Sequence, residues 1–215
     1  MRKENNSGRI FEDLRTMNIK KFTELYGKYG PSQNQFELIS LLDWMEGYFS
    51  EVKPKVLIEL GVFRGGTFGF WDELIPKEDR LLIGVDLNDR GLMYGLEQKY
   101  SSDKTIKFVV GHSSGSDIAV EKTKKILGGR SADILFIDAN HTIENVTQDY
   151  QRYAPFVRKG GLIIFHDIVG PELLDCTQVW MLWRQIIYND QKSYSGYCEF
   201  FGGVNPCGIG VLVKC

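Results

Sequence analysis

Apolar positions along the chain change rhythm near residue 55. Before it, Ile10, Leu14 and Met17, and then Phe22, Leu25 and Tyr26, recur at helical spacing. After the turn Tyr29-Gly30-Pro31-Ser32, a second amphipathic run carries Leu38, Leu41, Leu42, Met45 and Phe49. Beyond it, short continuous apolar runs alternate with helical stretches. The runs are Lys55–Leu60, Leu81–Asp86, Ile106–Gly111, Asp133–Asp138 and Gly161–His166. Amphipathic stretches begin near Thr67, Gly91, Ser114 and Thr142. Unbroken apolar runs between helices predict parallel strands covered on both faces. Right-handed crossovers then give a doubly wound α/β sheet. One more helix holds Val179, Trp180, Leu182, Trp183, Ile186 and Ile187. Two last runs, Tyr197–Phe201 and Ile209–Val213, are joined by Gly202-Gly203-Val204-Asn205-Pro206 and predict an antiparallel hairpin.

Composition narrows the class. The 215 residues are 43% hydrophobic and 25% charged, ordinary for a globular chain of this size. Such a chain buries about 70% of its unfolded surface and needs no disulfide or structural metal. No apolar run reaches the ~20 residues of a membrane span. The opening MRKENNSGRI lacks the apolar core of a signal peptide, so a cytoplasmic location is expected. A net charge of −2 gives no global attraction to nucleic acid, and Lys122, Lys124 and Lys125 form a solvated helix face. Cys176, Cys198, Cys207 and Cys215 make no CxxC pair, so they are taken as packing or surface thiols.

Chemistry is expected beyond the carboxyl ends of the strands. The first ends in Glu59-Leu60-Gly61-Val62-Phe63-Arg64-Gly65-Gly66-Thr67. A carboxylate, glycines and a helix start allow close backbone approach to a ligand. Phe63 stands where a dinucleotide fingerprint has its second glycine, and no Gly-Lys-Ser/Thr follows, so neither that motif nor a P-loop is present. Asp86, 20 residues past Gly66, ends the second strand and suits ribose hydroxyls. Gly111-His112-Ser113 ends the third, where an adenine edge could be read. The fourth and fifth end in Asp138-Ala139-Asn140-His141 and His166-Asp167. Two aspartates and two histidines at one sheet edge suit general-base work or a divalent metal. The alternative for single members is helix capping, with Asp138 or Asn140 on the helix from Thr142.

These residues resemble a class I S-adenosylmethionine-dependent methyltransferase. The resemblance runs from about Lys55 onward. Its finer part, Phe136 to Val146 and Lys159 to Ile168, is similar to small-molecule O-methyltransferases of the macrolide-sugar and cephalosporin-hydroxylase-like type. It implies a mostly parallel seven-stranded sheet of order 3-2-1-4-5-7-6 with the last strand antiparallel. An N-terminal helical cap over residues 1–50 would precede a Rossmann-like domain over 51–215. Glu59 and Gly61 would hold the methionine end of S-adenosylmethionine, and Gly65 and Thr67 would also bind the cofactor. Asp86 would hold the cofactor's ribose, with His112 or Ser113 by the adenine and Asp138 also near the cofactor. His141 would be the general base. Asp138, His166 and Asp167 would hold a divalent cation such as Mg²⁺. Related metal-dependent enzymes often carry a carboxylate where His166 stands, which softens the set toward Mn²⁺, Fe²⁺ or Zn²⁺. The acceptor would be a small hydroxylated molecule, sugar- or polyol-like. No nucleic acid or membrane partner is expected, and a homo-oligomer is left open. The Asp/Asn-Pro-Pro-Tyr loop of nucleic acid amino-methyltransferases is not present at the fourth strand. Two other classes compete: a cofactor-binding partner without catalysis, and a nicotinamide-dependent oxidoreductase.

Overall fold

A computed structural model describes residues 19–87, 92–170, 177–203 and 206–215. The predicted periodicity at Ile10, Leu14 and Met17, the start at Gly91, Cys176 and the turn residues Val204 and Asn205 lie outside them. Two helices come first, α1 (Ile19–Tyr29) and α2 (Gln35–Tyr48). Then follow β1 (Val56–Leu60), α3 (Gly66–Leu74), β2 (Leu81–Asp86), α4 (Leu92–Lys99), β3 (Ile106–Val110) and α5 (Asp117–Leu127). The remainder is β4 (Ala132–Ile137), α6 (Ile143–Tyr153), β5 (Val157–His166), α7 (Val179–Asn189), β6 (Tyr194–Phe200) and β7 (Ile209–Lys214). The seven strands lie in the order β3-β2-β1-β4-β5-β7-β6, as expected. Strands β1 to β5 pair in parallel, and β7 runs antiparallel to both β5 and β6.

Burial explains why the apolar runs are strands. Every residue of β1 is buried, as are the last six of β5, because helices cover both faces. One face packs Leu57, Phe136 and Ile164 against Phe68, Phe70 and Trp71 of α3 and against Phe22, Leu38, Leu41 and Met45 of α1 and α2. The other packs Ile58, Leu135 and Phe165 against Val146 and Tyr153 of α6 and Val179, Trp183 and Ile186 of α7. Trp183 is a core residue, 1% exposed, and its indole N–H donates to Glu199 at 2.6 Å. Tyr194 is buried too, whereas Tyr197 is 48% exposed.

Two strands differ from their apolar runs. β5 starts at Val157 rather than Gly161, because polar Arg158 and Lys159 sit in an irregular stretch where the register to β4 shifts. β6 starts at Tyr194, since an edge strand with alternating burial needs no continuous apolar run. No described helix is long and apolar enough to cross a membrane.

The first helices are joined to the sheet by close packing. A Cβ at Gly69 would meet the Tyr29 ring at 2.1 Å, and one at Gly66 would meet Pro31 at 2.6 Å. The turn between α1 and α2 therefore lies directly on the start of α3.

Candidate active site

Strands β2 and β4 flank β1 on opposite sides, and the chain leaves the sheet toward opposite faces there, opening a crevice at the carboxyl ends. The cleft has a volume of ≈ 510 Å³. Glu59, Gly61, Thr67, Asp86, Ser113, Asp138, His141, His166 and Asp167 line it, as the strand-end reading requires. Gly65 and His112 are not among the lining residues. The His112 ring turns away to Lys122, whose Nζ lies 2.8 Å from Nε2. The loop instead presents Ser113 and Ser114, and Tyr153 anchors it by donating to the Ser114 carbonyl at 2.8 Å.

Glu59 is 1% exposed, and its Oε2 has no hydrogen-bond partner. Burial, then the charges of Asp138 and Asp86, push its carboxyl well above the usual range. A buried carboxylate oxygen without a donor is costly unless a cation meets it. The site therefore fits a ligand carrying an ammonium or sulfonium group.

Gly61 has a second reason to be glycine. Its φ is +85°, and a Cβ there would stand 2.0 Å from the Asp138 carbonyl oxygen. The Gly61 N–H donates to Val85 at 2.9 Å and the Asp138 N–H to Leu60 at 2.9 Å, knitting the ends of β1, β2 and β4. Asp86 accepts from the Phe63 N–H at 2.7 Å, so it also shapes the loop after β1.

Register brings the ionisable groups together. Ile137 pairs with Phe165, so Asp138 and His166 leave the sheet side by side. His166 Nδ1 lies 3.2 Å from Asp138 Oδ1 and 3.4 Å from Asp167 Oδ1. His141 bridges the same carboxylates, Nε2 at 3.4 Å from Asp138 and Nδ1 at 3.2 Å from Asp167. Burial alone would raise the Asp138 pKa, but the two histidines hold it well below the ordinary carboxylate range. Contact with Asp138 raises His141, and burial opposes that rise. In His166 burial is outweighed by Asp138, and its pKa stands well above the ordinary value. Asp138 does not cap α6; Thr142 caps it by accepting from the Asn145 N–H. His141 is held from behind, where the Gln178 N–H donates to its carbonyl at 2.8 Å.

Potential metal-ligand atoms of Asp138, His141 and Asp167 lie within 4.8 Å of one another, and so do those of His166, Asp167 and Cys207. Oxygen and imidazole donors of this kind fit a divalent cation. Cys207 joins this neighbourhood because the Val169 N–H donates to its carbonyl at 3.0 Å, binding the start of β7 to the end of β5.

Sequence reasoning missed Gln33. It comes from the turn before α2, is 2% exposed and lines the cleft. Its Nε2 donates to Asp138 Oδ2 at 2.6 Å, and its Oε1 accepts from the Thr67 hydroxyl. A neutral residue in the polar stretch Ser32-Gln33-Asn34 carries no periodicity or charge signal that would single it out.

The sheet order, the glycine loop after β1 and the carboxylates at the ends of β1 and β2 define a class I methyltransferase fold. The chain belongs to the Methyltransferase domain family, whose model matches residues 58–168. It is 31% identical over 116 residues to Uncharacterized protein R132 of Acanthamoeba polyphaga mimivirus, a match spanning 51% of this chain and 50% of that one. The fold is similar to MycE methyltransferase of the mycinamycin pathway, solved with Mg and SAH. There the TM-score is 0.62 at 16% identity, over 90% of this chain and 54% of MycE. It is also similar to the O-methyltransferase TomG of Streptomyces achromogenes, involved in tomaymycin synthesis and solved with SAM. That match has a TM-score of 0.63 at 16% identity and covers 98% of this chain and 97% of TomG. The chain thus spans about half the length of R132 and of MycE.

Proposed function

We propose that this chain is an S-adenosylmethionine-dependent O-methyltransferase acting on a hydroxyl of a small, sugar- or polyol-like molecule. The observation that carries the reading is one cleft lined both by Glu59, whose buried Oε2 has no hydrogen-bond partner, and by His141, set between Asp138 and Asp167. Family membership and the cofactors of MycE and TomG support the same donor. Bound S-adenosylmethionine supplies an electrophilic methyl carbon on a sulfonium sulfur. Glu59 would meet the ammonium of its methionine end, Gly61 and Thr67 would line that end, Asp86 would take the ribose hydroxyls, and Ser113 would lie by the adenine. His141 would accept the acceptor hydroxyl proton at a ring nitrogen, which needs the neutral imidazole. Asp138 and Asp167 would orient that ring and, with His166, would hold a divalent cation, which would lower the pKa of the acceptor hydroxyl. A vicinal diol suits such a pair. Residues 51–215 would form the methyltransferase domain, with the helices before it serving as the acceptor-side cap. Titration calorimetry with S-adenosylhomocysteine tests the reading. Binding is expected in the wild type and lost in Glu59→Ala; no heat of binding in the wild type overturns it.

A further inference from the structure

We infer that Gln33 is a positioning residue for this site, its carboxamide locking Asp138 and Thr67 into one hydrogen-bonded unit. The geometry stands alone; what the unit serves rests on the proposed methyl transfer.

The direction of each hydrogen bond follows from chemistry. An ionised carboxylate only accepts, so the Gln33 amide nitrogen must face Asp138. The amide oxygen then faces Thr67, whose hydroxyl hydrogen is thereby committed. Asp138 Oδ2 is tied to Gln33, which leaves Oδ1 facing His166 at 3.2 Å and His141 at 3.4 Å. With one oxygen tied, the carboxylate cannot rotate away from the two rings. The loop that carries Gln33 is itself held, because Tyr26 donates to the Gln33 carbonyl at 3.0 Å and Pro31 rests on Gly66. A turn between the first two helices thus sets the orientation of the groups at the ends of β4 and α3. Residues that orient a site's ligands in this way typically govern affinity or activity by about 10- to 100-fold.

The chain has three histidines, which makes ring ¹⁵N NMR a direct probe. In Gln33→Met, the His141 and His166 ring signals are expected to move. His112, paired with Lys122 outside the cleft, should stay in place. By calorimetry, Gln33→Met should weaken S-adenosylhomocysteine about tenfold, and Thr67→Val similarly. The double variant should be no more than about threefold worse than the weaker single, since both changes break one unit. Unmoved His141 and His166 signals, or effects that multiply, would overturn the inference. If Gln33→Met does not fold, Gln33→Glu replaces it. That change keeps the acceptor for Thr67 and sets a carboxylate against Asp138, so the same two signals should move, and unmoved signals again overturn the inference. Failure of the wild type to bind S-adenosylhomocysteine would count against the methyltransferase reading alone, because the ring signals require no ligand.

Discussion

Glu59 and Asp149 are both 1% exposed, and their carboxyl groups are incompletely hydrogen-bonded. Burial raises the Asp149 pKa to about 6, with the Ser114 hydroxyl offsetting part of the rise. Below its unfolded value of 3.8 both states hold the proton. Between 3.8 and about 6 the unfolded chain loses the proton while the folded chain keeps it, so stability falls as pH rises and levels off above that window. Asp149→Asn should abolish this fall and add up to about 3 kcal/mol at pH 7, read by urea denaturation across pH. Glu59→Gln should likewise raise the thermal midpoint of the ligand-free protein, yet weaken S-adenosylhomocysteine more than about tenfold. A lower midpoint would show that Glu59 stabilises the fold rather than a ligand. That Glu59, Asp138 and His141 share one cleft was legible because strand order and strand ends fix where they leave the sheet. Gln33 was not, because its partner stands 105 residues away and only the fold brings them together.

At the scale of elements, the central strands were legible to within a residue or two where both faces are buried. Strand β2 spans the same six residues as its apolar run. The outer hairpin was less so, since β6 is covered unevenly. Glycines divide along similar lines. In β7, a Cβ at Gly210 would lie 2.8 Å from three atoms of the buried Trp183 ring. Gly210→Ala should therefore cost about 1–3 kcal/mol in chemical denaturation, as over-packing does. Gly95 lies inside α4, and nothing stands within 4 Å of its missing Cβ. Gly95→Ala should stabilise by about 0.5–1 kcal/mol through helix propensity and a less free unfolded chain. Equal effects at the two positions would contradict this account of the packing. The loop after β1 was recognisable as glycine-rich, but the reason differs by position: Gly61 admits the backbone of Asp138, and Gly66 admits Pro31.

For the whole molecule, the sheet separates two apolar cores, and the first helices contribute heavily to one of them. Phe22, Leu25, Leu38, Leu41 and Met45 pack with Leu57, Phe68 and Trp71. Removing residues 1–50 should therefore leave a chain without a cooperative thermal transition by near-ultraviolet circular dichroism. A truncated chain that unfolds cooperatively and binds S-adenosylhomocysteine would establish residues 51–215 as an independent domain. The same interlocking reaches the residue before β7, where the Gly208 N–H donates at 3.0 Å to the buried Glu37 of α2, 171 residues earlier. Contacts so distant in sequence form late, because the loop between them must be ordered first. On a ribosome, the early helices would thus emerge long before their last partner. Their contact with Gly208 could close only after the strands that carry the site had been made.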